Sequence, residues 1–328
     1  MFKKVTVLIL LTVFASGFLV AEGQQDSSKS VLINIASTFP PEGPMHEGLE
    51  KFKEIIESDS SNKMNVIIHP SGALGGEAEL IESLRAGSVE MGAQGIMDLV
   101  MYMPEYTVFE EPYVIRDIDH LRTFWSTIGK EIHQKLDDEY GIMTPAVSVR
   151  GARMVTSNKP VTRPEDLEGL RFRLPAYPVR IKVFEEFGAV PTVVAFPEVY
   201  MALRTGTVDS QENPPETIFN YKYFEAQDYL IKTNHVWSTG RFQISRRWFD
   251  TLESTQQETI LNAWEEVEAY LAEKYPDPDA VFVEMLESAG MTVIEPEIEL
   301  FMNAAEPVLM HFDEELWAPG LRQRIKEL

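Results

Sequence analysis

The sequence contains no cysteine in 328 residues. That excludes a disulfide framework, a cysteine nucleophile and a lipid-bearing cysteine behind an export signal. Beyond Val20 it also lacks any apolar run of the length a transmembrane helix needs, about 20 residues. Positive charge is scarce: 29 Lys and Arg stand against 52 Asp and Glu, a formal net charge of −23. Such a chain is repelled by nucleic acid and by anionic membrane surfaces. The usual catalytic spacings are missing as well. Gly72-Ala73-Leu74-Gly75-Gly76 is glycine-rich, yet no Gly-Lys-Ser/Thr follows it, and there is neither a His-Glu-x-x-His nor a Ser/His/Asp signature. An anionic ligand would have to rely on a few local cations acting against the overall field.

What is present begins with a targeting pattern. Lys3 and Lys4 precede the apolar stretch Val5 to Val20, and Ala21-Glu22-Gly23 offers small residues for cleavage. The pattern predicts a signal peptide over 1–23, a mature chain from Gln24 and a periplasmic protein without a lipid anchor. The remainder, in a chain that is 44% hydrophobic and 25% charged, is ordinary globular material sufficient for two lobes.

The most informative stretch is Asp166 to Pro215. Leu170 to Leu174 alternates basic with apolar residues and stops at Pro175, which reads as a strand. Val179, Val183 and Phe187 recur every four residues on one helix face, and Gly188 suits its end. Thr192 to Phe196 reads as another strand, and Pro197-Glu198 suits the first turn of a short helix ending at Gly206. Ligands of βαβ units bind beyond the carboxyl ends of the strands. Arg173, Phe196 and Asn213 fall at such ends.

A second signal is an internal echo. Leu84-Arg85-Ala86-Gly87-Ser88-Val89-Glu90 returns as Leu203-Arg204-Thr205-Gly206-Thr207-Val208-Asp209. Each copy ends a short helix, turns on glycine and enters a strand. The repeat predicts two similar α/β lobes with a ligand cleft between them. We place lobe I at 24–150 plus 239–278, and lobe II at 151–238 plus 279–328. Tyr102 to Tyr113 reads as a connection packing on the first lobe.

The segments TSNKPV, DLEGLRFRLP, FPEVYMAL and VDSQENPP, with SGALGG, LRAGSVEM and EEPYVI before them and TNHVW after, occur in an order that resembles a known family. From about Val31 onward the chain is similar to the substrate-binding proteins of tripartite ATP-independent periplasmic (TRAP) transporters, of the DctP type. The resemblance implies a two-lobed periplasmic-binding-protein fold, each lobe a mixed β-sheet flanked by helices. It implies no enzymatic activity and no cofactor. It further implies a monomer that delivers an organic acid to TRAP transporter membrane subunits.

By the same resemblance Arg173 forks onto the ligand carboxylate, assisted by Asn213 and Arg153. Phe196 covers the ligand, His235 supports the site and Glu77 supplies an acidic contact. A guanidinium suits this task because it binds both carboxylate oxygens at once. Arg150, with Ser37, Thr38 and His46, is placed to line the first lobe's side. Trp237 and Arg241 are within reach of the cleft. The sialate-binding branch of the family carries an acidic side chain where this chain has Gly95, so that contact is missing here. A sugar acid such as a hexuronate is the favoured ligand. A C4-dicarboxylate or 2-oxo acid is the alternative, with Arg150 or Arg153 as a second cation. The rival class is a periplasmic enzyme using Asp209, Glu212 and His235 as acid/base groups. One departure is that Pro276 and Pro278 interrupt a helix that is often unbroken in the family.

Overall fold

The computed structural model describes residues 30–58 and 63–328; the signal peptide expected over 1–23 lies outside them. The strands are β1 (Val31–Ser37), β2 (Met64–His69), β3 (Met91–Gln94), β4 (Ile142–Ala152), β5 (Met154–Ser157), β6 (Arg171–Leu174), β7 (Val190–Val193), β8 (Ser210–Asn213), β9 (Tyr229–Ile231), β10 (Trp237–Ser245) and β11 (Thr292–Ile294). They form two mixed sheets flanked by helices, one ordered β2-β1-β3-β10-β4 and the other β11-β9-β5-β8-β6-β7. This is the two-lobed α/β fold.

The two sheets share one plan. In the first, β1 is parallel to both β2 and β3, and β10 lies antiparallel to β3. In the second, β6 is parallel to both β7 and β8, and β5 lies antiparallel to β8. The sequence echo marks equivalent places. Gly87 and Gly206 have φ of +72° and +66°, a left-handed turn that suits glycine, between a helix end and strands β3 and β8. The acid closing each copy then pins the adjoining parallel strand. Glu90 accepts from the Asn34 N–H at 2.8 Å, and Asp209 from the Arg171 N–H at 3.0 Å. The chain leaves the first sheet after Ala152 and returns to it along β10.

Strand β7 contains Pro191, which has no N–H to give a ladder, and it occupies the edge of its sheet. Around the first sheet, Phe52 stacks on Trp264 at 4.1 Å, and Trp264 on Phe242 at 4.6 Å, joining the helices Pro44–Ser58 and Ser254–Lys274 to β10. Beside the second, Phe172 meets Phe184 at 4.3 Å, and Phe187 meets Phe301 at 5.3 Å. Such aromatic pairs add about 0.5–1.5 kcal/mol beyond their buried area.

The segment Tyr102 to Tyr113, expected on the first lobe, packs Phe109 on Phe124 and Trp125 at 5.1 Å each, in a core that also runs on to Phe172, Phe184 and Phe301. It is also tied to the C-terminal region, where Ala318 N–H donates to the Glu105 carbonyl at 2.9 Å and Arg322 Nη2 donates to Glu111 at 2.6 Å. The return to the first sheet begins at Trp237, earlier than Phe242. The proline interruption is as read: one helix ends at Lys274 and the next starts at Pro278, with the Asp277 carboxylate accepting from the Ala280 N–H at 3.2 Å.

Candidate ligand-binding cleft

A cavity lies between the two sheets. Phe39, Glu77, Gly95, Ile96, Arg150, Ser238 and Thr239 line it from one side, and Glu110, Arg153, Arg173, Pro175, Tyr177, Arg180, Phe196 and Asn213 complete it. Strand geometry explains the placement. Arg173 sits near the carboxyl end of β6 and Asn213 closes β8, the neighbouring parallel strand. Arg150 and Arg153 flank the point where the chain passes between sheets. The Arg150 guanidinium lies 4.6 Å over the Phe39 ring and 6.0 Å from the Phe196 ring, so two aromatic faces and a cation form one wall.

Among the described residues five arginines are buried: Arg150, Arg153, Arg173, Arg180 and Arg241. Four of them have carboxylate partners. Arg150 Nε donates to Glu216 at 2.7 Å. Arg153 forks onto Glu212, with Nη2 donating to Oε1 at 2.8 Å, and also reaches the Asn213 side-chain oxygen at 3.0 Å. Arg180 pairs with Glu110 and lies 3.4 Å from Glu212. Arg241 pairs with Asp98. Arg173 forms no ion pair with the described residues. Its Nε and Nη2 both donate to the Val194 carbonyl, at 3.0 and 2.7 Å. Only 2% of it is exposed, so this charge is both desolvated and uncompensated by contact.

The surrounding electrostatics follow from that pairing. Burial alone would raise the Glu212 carboxyl, but Arg153, Arg180 and the hydrogen bond from His235 outweigh it and hold Glu212 well below the usual carboxylate range. Burial lowers His235, opposed by its hydrogen bond to Glu212 at 3.1 Å; its other ring nitrogen meets the Thr233 hydroxyl at 2.8 Å. Burial raises Glu77, with the Gly95 N–H at 3.0 Å and the Arg173 and Arg150 charges opposing.

The family model for bacterial extracellular solute-binding proteins, family 7 (DctP), matches residues 35–315. The chain belongs to this family. A solute-binding protein of Verminephrobacter eiseniae is 31% identical over 283 residues, covering 85% of this chain and 84% of that one. The sialic acid-binding periplasmic protein SiaP of Vibrio cholerae is 29% identical over 267 residues, covering 81% and 83%. Among solved structures, the TRAP periplasmic solute-binding protein of Roseobacter denitrificans with bound L-galactonate superposes with a TM-score of 0.84. It is 27% identical and covers 91% of this chain and 98% of that one. Family 7 proteins are periplasmic and serve TRAP transporter membrane subunits.

In this family 7 protein, six of the seven site residues read from sequence line one cavity: Glu77, Arg150, Arg153, Arg173, Phe196 and Asn213. His235 does not line it; it stands behind Glu212, where its ring orients a buried acid. Glu77 makes no helix-capping hydrogen bond and instead holds the end of β3 through Gly95. Ser37, Thr38, His46, Trp237 and Arg241 do not line the cavity. Arg241 is committed to Asp98 and the Gly95 carbonyl. Sequence reasoning missed Arg180, Glu110 and Tyr177. A usable signal existed for Arg180: it adjoins the apolar stripe of its helix, and residues 176, 177, 183 and 184, its turn neighbours, are not acidic. Its partner had to come from another element.

Proposed function

We propose that this solute-binding protein captures a sugar acid with a single carboxylate and presents it to the TRAP membrane subunits. The observation that carries the reading is the unpaired buried Arg173. An arginine held there by the Val194 carbonyl has its remaining donors available for a carboxylate, and a bound anion supplies the missing charge partner. Arg150, Arg153 and Arg180 already have acids, so a second carboxylate would have no free cation to meet. That argues for one carboxylate rather than two.

The rest of the cavity suits hydroxyls. Glu77 accepts hydrogen bonds, Asn213 and Ser238 give and accept them, and Phe196 with Phe39 covers a carbon face. Buried polar groups of this kind would be left unpaired by an apolar acid. The L-galactonate bound by the Roseobacter denitrificans protein belongs to the same chemical class. Against an enzyme, Glu212 and His235 are tied into a salt-bridge network behind the cavity, and Asp209 is engaged by Arg171. In this reading the lobes are 24–150 with 239–278 and 151–238 with 279–328, residues 1–23 are removed on export, and the protein acts as a monomer.

The test is a thermal-shift screen followed by competition between glucuronate, galacturonate or galactonate and succinate or malate. A ligand of the folded state raises apparent stability by mass action. Sugar acids are expected to raise the melting temperature and to displace one another. Tight succinate binding with no response to any sugar acid would overturn the ligand class and leave the family assignment standing.

A further inference from the structure

Asp279 stands where two of the connections between the sheets meet. It belongs to the first turn of the helix Pro278–Ser288, directly after the proline break, and that helix packs against the helix Pro215–Asn220. From there its Oδ2 accepts from the N–H of Ala152 at 2.9 Å, the last residue of β4 before the chain leaves the first sheet. Its Oδ1 is buried and has no hydrogen-bond partner among the described residues. Gly151 makes the approach possible. It has φ of +101°, and a Cβ on it would lie 1.9 Å from the Asp279 Oδ1.

The charges facing this carboxyl are mostly of its own sign. Asp277 precedes it in the break and Glu216 faces it from the adjacent helix, where Arg150 already engages that acid. Lys232, beyond β9, is the opposing cation. Burial first, then Asp277 and Glu216, push Asp279 up to about 7, against the hydrogen bond from Ala152. The ordinary aspartate value is about 3.9.

We propose that Asp279 is a positioning residue whose protonation favours the packed arrangement of the lobes, so that closing takes up a proton and higher pH favours opening. The inference rests on the reading of the cleft as the ligand site. In the packed state an ionised Asp279 leaves one oxygen buried and unpartnered; a proton removes that charge. Parting the connections admits water and returns the group toward its ordinary acidity. Because the raised value belongs to the packed state, the closed-to-open ratio falls as pH rises through it. For a single such group the ratio drops about tenfold between pH 6 and pH 8. Glu77 is also raised by burial, so a pH effect alone does not identify Asp279; the variant does.

The experiment uses the ligand-free protein, which makes it independent of ligand identity. The sequence has no native cysteine, so Leu74→Cys, after β2 of the first sheet, with Met201→Cys, in the helix Val199–Arg204 before β8 of the second, both exposed, gives one specific spin-label pair that spans the two sheets. The closed-to-open ratio of the wild-type background is expected to fall about tenfold from pH 6 to pH 8, and that of Asp279→Asn to fall several-fold less. An equal pH shift in both, or none in the wild type, overturns the proposal. Should Asp279→Asn fail to fold, the carbon-13 titration of the Asp279 carboxyl in the wild type decides. A midpoint near 7 supports the proposal, and one below about 5, in the ordinary carboxylate range, overturns it. A negative ligand screen would leave this measurement unaffected, and failure here would leave the sugar-acid reading unaffected.

Discussion

Arg173 donates twice to one acceptor, the carbonyl oxygen of Val194, through Nε at 3.0 Å and Nη2 at 2.7 Å. Val194 follows directly on β7, the strand beside β6, so the sheet edge fixes the plane of the guanidinium without neutralising it. Arg153, two strands away, is the contrast: Glu212 takes both its charge and its fork. In the proposed function the first arrangement receives the anion, and the second builds its frame.

Arg173→Ala is expected to weaken sugar-acid binding by roughly 2–5 kcal/mol, the cost of removing one member of a buried charge pair. At about 1.4 kcal/mol per tenfold, that is on the order of 30- to several-thousand-fold. Arg173→Lys loses affinity as well, because a point charge cannot fork and cannot keep the paired hydrogen bonds to the Val194 carbonyl. Calorimetry with a sugar acid that raises the wild-type melting temperature checks both. Unchanged affinity in the two variants would refute the assigned role.

Gly95→Glu tests the missing acid of the sialate-binding branch. A Cβ at this position lies 2.8 Å from the Glu77 Oε1 and 3.4 Å from the Tyr177 hydroxyl. The new carboxylate would crowd one that burial already raises. Sugar-acid binding is expected to fall without any gain in sialate binding. Fluorescence titration with both acids measures it, and a gain of sialate binding would show that Glu77 swings aside.

Glu212→Gln leaves Arg153 and Arg180 without their shared acid, which costs about 3–5 kcal/mol of stability. The pH dependence follows from the sign of the shift. The folded-state value lies below the ordinary 4.5, so Glu212 contributes stability above that value and the contribution is lost as pH falls from there. Urea unfolding at pH 7, 5 and 3 should show the wild type losing its advantage over the variant in the acid range. A constant difference across all three would contradict the account.

Glu90→Ala and Asp209→Ala remove equivalent pins from the two sheets. Each acid accepts from a backbone N–H of the adjoining strand, so each loss should cost about 1 kcal/mol. Thermal melts should place the two variants close together. A large loss at one position with none at the other would mean that the matched geometry carries no matched energy.

Much of this was legible in order along the chain, because it depends on local rules. Alternation at Arg171 to Leu174, the stripe Val179-Val183, the paired glycines Gly87 and Gly206, and the proline break at 276–278 are set by residues within a few positions of one another. The strand ends that carry Arg173 and Asn213 follow from the same rules. Which arginine stays free does not. Arg153 finds Glu212 and Arg180 finds Glu110 across sequence separations of 59 and 70 residues, and those partnerships exist only once the strands are stacked. Packing likewise placed His235 behind Glu212 and set Phe109 against Phe124 and Trp125. The sequence by itself determined the strand–helix units, their repetition and the residues at their ends. The tertiary structure decided which buried charges cancel and which buried arginine stays without an ion pair among the described residues, because charge pairing inside a protein depends on distance in space and on desolvation, and neither is a property of neighbours in the chain.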